Sequence, residues 1–86
     1  MLVTGTDDID VSGQGKRLAS WSISQGAGAN TVNFRRGTVS GAVVFQVQVP
    51  TITSASQAYP SPPYCKEGWF VEVVGTGLNF VCVDVI

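Results

Sequence analysis

The chain has no histidine, and charged residues fill only 13 % of its 86 positions. Without histidine the commonest general base and metal ligand is missing, and Ser-His or Cys-His nucleophile pairs cannot form within one chain. Two cysteines and no histidine are too few of the usual ligands for zinc. Five basic residues, Lys16, Arg17, Arg35, Arg36 and Lys66, stand against six acidic ones, for a net charge of −1. That balance excludes the polycationic footprint of a nucleic-acid binder. No apolar run approaches the length of a membrane-spanning helix. Met1–Asp8 shows neither the basic start nor the apolar stretch of a signal peptide. The expectation is a chain that stays in the cytosol or in something assembled there. Cys65 and Cys82 are accordingly read as reduced thiols serving as small apolar side chains. No helical period persists over a dozen positions either, which leaves strands and turns.

What is present is apolar: 44 % of the residues are hydrophobic. A lone domain of this size needs a more charged surface to stay soluble, so part of its exterior is expected to be buried against other chains. The chain reads as one domain over 1–86, with 1–16 as an N-terminal arm or short edge strands. Leu2-Val3-Thr4 and Ile9-Asp10-Val11 are short apolar pieces around the turn signal Gly5–Asp8. From Arg17 to Ser24, Ala19, Trp21 and Ile23 alternate with Ser20, Ser22 and Ser24, the pattern of a half-buried strand. A Gly/Ala turn leads to Thr31–Arg36, with Val32 and Phe34 inward. In Ala42–Val49, the strongest strand in the chain, Val43, Phe45, Val47 and Val49 alternate with Val44, Gln46 and Gln48, and Pro50 ends the strand. A short strand near Thr51–Thr53 is expected, and the rest of the segment up to Glu67 reads as connection, polar and then proline-rich.

The last nineteen residues, Gly68–Ile86, organise the rest. Two β-branched and aromatic runs flank Gly75-Thr76-Gly77 and read as a hairpin. An odd-numbered loop keeps Trp69, Val71 and Val73 on one face with Val81, Val83 and Val85, whereas an even one buries an acid among them. The other face then carries Phe70, Glu72, Val74, Phe80, Cys82, Asp84 and Ile86, too apolar for an ordinary wet face. Six to eight short strands joined by Gly-rich turns predict an all-β fold, a small antiparallel β-sandwich or barrel.

Candidate chemistry is thin. Asp7, Asp8 and Asp10 cluster, but EF-hand spacing is missing and an acidic, solvated turn is the simpler reading. Gly13-Gln14-Gly15-Lys16 lacks the first glycine and the Ser/Thr of a phosphate loop, and no helix follows it. Glu72 and Asp84 on one sheet face would invite a glycosidase reading; without a cleft they read as solubilising charges. Tyr59 and Tyr64 offer a sugar-stacking platform or a protein contact, against the plainer role of capping one end of the sandwich. Arg35 and Arg36 suit an acidic partner surface, or simply end a strand. No catalytic residue, cofactor or metal is expected.

In the order of its features the chain resembles the small jelly-roll head decoration, or cement, proteins of tailed bacteriophages. The features are the strand Leu18–Ile23 with its Gly/Ala turn, Asn33–Gly41 before a valine-rich strand, then a loop and Cys65–Val73, a glycine turn and a final valine strand. The resemblance runs from about Arg17 onward and is a pattern of strands and turns rather than a motif. It implies a jelly-roll-like sandwich with no catalytic residues, a trimer seated outside a capsid. Its partners would be itself and the major capsid protein, in a virion assembled in the host cytoplasm. Phe70, Phe80, Ile86, Arg35, Arg36, Tyr59 and Tyr64 are the expected interface residues. The alternative is a carbohydrate- or protein-binding module of a tail fibre or adhesin that uses the two tyrosines.

Overall fold

A computed structural model describes residues 2–26, 30–50, 54–75 and 78–86. These residues form eight strands and no helix: β1 Leu2–Gly5, β2 Ile9–Asp10, β3 Leu18–Gln25, β4 Asn30–Arg36, β5 Val43–Val49, β6 Ser54–Ala58, β7 Trp69–Val74 and β8 Leu78–Val85. They make two four-stranded sheets, β1-β8-β3-β6 and β2-β7-β4-β5, with every pairing antiparallel. Strands β1 to β4 alternate between the sheets, β4 and β5 share one, and β5 to β8 alternate again, which is the double Greek key of a jelly roll. The predicted all-β sandwich, and its jelly-roll arrangement, are what the chain adopts.

The closing strands do not form the predicted hairpin. β7 pairs with β2 and β4, while β8 pairs with β1 and β3, so the chain crosses from one sheet to the other between them. Their valines still meet one core, but from opposite sheets: Trp69 and Val71 below, Val81, Val83 and Val85 above, all fully buried. Strand parity alone cannot separate a hairpin from such an arch, because both put the same residues inward. The turn residues Thr76 and Gly77, like the expected strand at Thr51–Thr53 and turn residues 27–29, lie outside the described residues.

The core is aromatic at its centre. Phe34 stacks on Phe45 with ring centroids 4.5 Å apart, and Trp21 and Trp69 approach this pair at 6.0 Å on either side. Offset and edge-on contacts of this kind add about 0.5–1.5 kcal/mol each beyond their buried area. Around them Leu18, Ile23, Val32, Val49 and the β8 valines are sealed from solvent, each side chain contributing roughly 1.5–3 kcal/mol by burial.

Two sequence readings change in the sheets. Ser54–Ala58 is not connection but the edge strand β6, paired with β3 from Ser20↔Ala58 to Ser24↔Ser54. Small polar residues hide its alternation, because an edge strand over a covered sheet needs only Ala55 turned inward. The register shift between Phe34 and Arg35 turns Val43 outward beside Val44, so both are exposed while Phe45, Val47 and Val49 face the core. A bulge of this kind opposes two residues to one and re-aims the strand end.

The proline-rich connection before β7 is fastened across one end of the sandwich. Leu18 N–H donates to Pro63 O, Cys65 N–H to Lys16 O, and the Trp69 indole N–H to Lys16 O at 3.1 Å. Arg17 and Ile86 exchange both backbone bonds, extending the β3–β8 ladder. Gly68 closes this end with φ of 85°, and a Cβ there would sit 2.5 Å from the Ser12 carbonyl oxygen.

Candidate functional site

The two sheets have unlike outer faces. On β2-β7-β4-β5 the polar side chains are committed to each other. Gln46 Nε2 donates to Asn33 Oδ1 at 2.8 Å, and Asn33 Nδ2 donates to Glu72 Oε1 at 2.8 Å. Arg35 Nε reaches the same Glu72 oxygen at 3.0 Å and its Nη1 the Gly41 carbonyl at 2.8 Å. The donors on Asn33 and Arg35 hold the Glu72 carboxyl below its ordinary range. This ladder spans β5, β4 and β7, so Glu72 is a structural acceptor rather than a loose solubilising charge.

The outer face of β1-β8-β3-β6 is plainer. Its cross-strand rows are set by register: Leu2–Asp84–Ser20–Ala58, then Thr4–Cys82–Ser22–Ser56, then Phe80–Ser24–Ser54. Beyond the first row, Ile86 pairs with Arg17, and Arg17 bridges to Tyr64. The result is a floor of hydroxyls and small side chains with large residues at its margins. Leu2 is 67 % exposed, Ile86 61 %, Tyr64 58 % and Phe80 38 %. Arg17 and Asp84 are the charged residues among these rows, and the Arg17 guanidinium lies over the Tyr64 ring at 5.1 Å. Strand alternation produces the surface directly: Trp21, Ile23, Val81 and Val83 point inward, so the serines, Phe80 and Cys82 must point out.

The predicted interface residues therefore divide. Phe80, Ile86 and Tyr64 lie on the β1-β8-β3-β6 face, Ile86 and Tyr64 at one end of it and Phe80 at the other. Phe70 and Arg35 lie on the opposite side of the sandwich, paired to each other across β7 and β4, with Phe70 half-buried. The expectation that Phe70, Phe80 and Ile86 form one face fails with the hairpin that produced it. Glu72 and Asp84 are parted for the same reason and cannot work as a carboxylate pair. Arg36 sits at the strand end, 3.7 Å from Glu67. Tyr59 accepts a hydrogen bond from the Trp21 indole at 3.0 Å and meets Phe45 edge-on, so it caps the core as its plainer reading has it. Tyr64 stays outside, with Arg17 over its ring.

Leu2 was missed because a short terminal strand gives no clue to its partner. Its pairing with β8 is a contact between the chain's two ends. The serines were legible as a wet face, but their neighbours on β8 and β6 were not.

The acidic cluster near the start is spent on backbone. Asp8 Oδ1 accepts from Val73 N–H at 2.8 Å, just past the point where the two-residue β2 runs out. Asp10 Oδ1 accepts from the Ser12 amide and hydroxyl, which hold its carboxyl below the ordinary value. Asp7 takes the Asp8 amide. Among the described residues no three His, Cys, Asp or Glu side chains gather as metal ligands. Cys65 and Cys82 are free thiols. Burial, with Glu67 beside it, pushes the Cys65 thiol up, so it is a poor nucleophile. A shallow cleft lined by Asn30, Thr31, Gln48, Val49 and Pro50 carries no acid, base or thiol.

No known family, curated protein or solved structure matches this chain. Function is therefore read from geometry. A flat, sparsely charged sheet face with exposed apolar margins suits contact with another protein surface.

Proposed function

We propose that the chain is a structural subunit of a virion, a decoration or cement protein that self-associates and reinforces a capsid shell from outside. The carrying observation is the outer face of β1-β8-β3-β6, with Leu2, Phe80, Ile86 and Tyr64 exposed around small side chains. The shortage of charge supports the same reading, since a chain with 13 % charged residues gains from covering part of its surface.

Four strands at their usual spacing and about seven residues of length give a flat area of roughly 450 Å². A stable pairwise interface needs about 800 Å² per partner. One such contact is weak, so the mechanism is collective: each copy bridges neighbouring shell subunits, and contacts across the lattice add free energy that is lost when those subunits separate.

The test is co-sedimentation with shells assembled from a major capsid protein whose gene is found next to the one for this chain. The parent protein should bind saturably and raise the temperature at which shells come apart. Phe80→Glu should abolish binding while the sandwich stays folded, because its side chain contributes to the outer face and the new carboxylate would be buried unpaired on docking. Absence of binding by the parent, or full binding by Phe80→Glu together with Leu2→Asp, would sink the proposal.

A further inference from the structure

Every sheet edge presents unpaired N–H and C=O groups, and proteins blunt such edges with charge, proline, brevity or small residues. Three of the four edges here are blunted. β2 is two residues long and carries Asp10; β1 has four residues; β6 is Ser-Ala-Ser-Gln-Ala, with little apolar surface to reward pairing. β5 differs. It is seven residues long, Val-Val-Phe-Gln-Val-Gln-Val, without charge or internal proline. Its one protective feature is the bulge at Val43. Beyond the bulge, Phe45 and Val47 pack against the core yet remain only half-buried on this edge strand.

We propose that β5 is a self-pairing edge, on which two copies of this chain join antiparallel about a two-fold axis at Gln46, merging their four-stranded sheets into one of eight. The occupant follows from the strand. A charged peptide gains nothing from an uncharged edge, whereas a second copy meets no like charge anywhere along it. About Gln46 the strand is close to palindromic. Phe45 falls beside Val47 of the second copy, covering the half-buried apolar pair, and on the outer face Val44 falls opposite Gln48 and Gln46 opposite itself. Such an isologous contact uses one patch twice, the commonest route to a closed assembly. Main-chain bonds supply the attachment, as in strand addition generally. The resemblance to decoration proteins implies three copies; pairing at β5 predicts an even number.

Gln46 is exposed on the outer face, with its amide bonded to the outer-face side chains of Asn33 and Gln48, so it can be charged without disturbing the core. Native mass spectrometry and sedimentation at micromolar concentration should show the parent as an even-numbered species. Gln46→Lys and Gln46→Glu, each alone, place like charges opposite one another and should weaken association by about tenfold or more. An equimolar mixture of the two should recover the pair as a mixed species. A monomeric parent overturns the inference, as does a trimer, an association that both variants retain, or variants that stay apart when mixed. If a Gln46 variant fails to fold, judged by tryptophan fluorescence, the double variants Val44→Lys/Gln48→Lys and Val44→Glu/Gln48→Glu, alone and then mixed, repeat the test. The pairing does not depend on the shell reading. A parent that pairs but ignores shells, and a separated Gln46→Lys that still binds them, are distinct outcomes.

Discussion

Glu72 accepts from Asn33 and Arg35, and its carboxyl is held below the ordinary 4.5. A carboxylate whose pKa is depressed by folding adds stability above its unfolded value and loses it as pH falls through the folded one. Unfolding midpoints in urea should therefore fall below about pH 4.5, and Glu72→Gln should flatten that fall. An unchanged acid limb in Glu72→Gln would show that the ladder holds no proton-linked energy. At Gly68 the backbone is left-handed and a side chain would collide with the Ser12 carbonyl. Gly68→Ala should cost about 2 kcal/mol or more, read from chemical denaturation. The two thiols should differ in rate. Cys65 is sealed and its thiol is pushed up, whereas Cys82 is half-buried on the outer face beside the Thr4 hydroxyl. A maleimide added to the native protein should label Cys82 first.

At the scale of elements, β8 is the strand on which its sheet depends, lying between β1 and β3. Val83 is fully buried at its middle, opposite Val3 on one side and Trp21 on the other. Val83→Ala should cost about 2 kcal/mol, while Val74→Ala, on a half-exposed side chain, should cost under about 0.5 kcal/mol. Equal costs would contradict the placement of β8 at the centre of the sheet. β6 shows the limit of alternation as a signal. Its residues alternate, but with serine and alanine in place of valine the pattern resembles a polar loop. The two-residue β2 falls within Ile9–Val11, one of the short pieces that read as edge strands or an arm; Asp8, just before it, takes the Val73 amide where the ladder begins.

For the whole molecule, the pairing partners lie far apart in sequence. β1 joins β8, with Leu2 opposite Asp84, so the ends of the chain must meet before the first sheet is complete. A jelly roll of this kind should fold on the millisecond-to-second scale despite its small size. Removing residues 1–5 would bare the long, apolar β8 as a sheet edge. The truncated protein should self-associate or precipitate, checked by light scattering beside the parent.

Composition and alternation alone determined the all-β class, the inward tryptophans, the serine face of β3 and the apolar sides of β7 and β8, because a strand's period of two fixes which residues must hide. Which strands are neighbours is decided only when distant segments meet. No local pattern distinguishes a hairpin from an arch that crosses between sheets. That choice moved Phe70 and Phe80 to opposite faces, tied Glu72 into a ladder, and left β5 as the long uncharged edge.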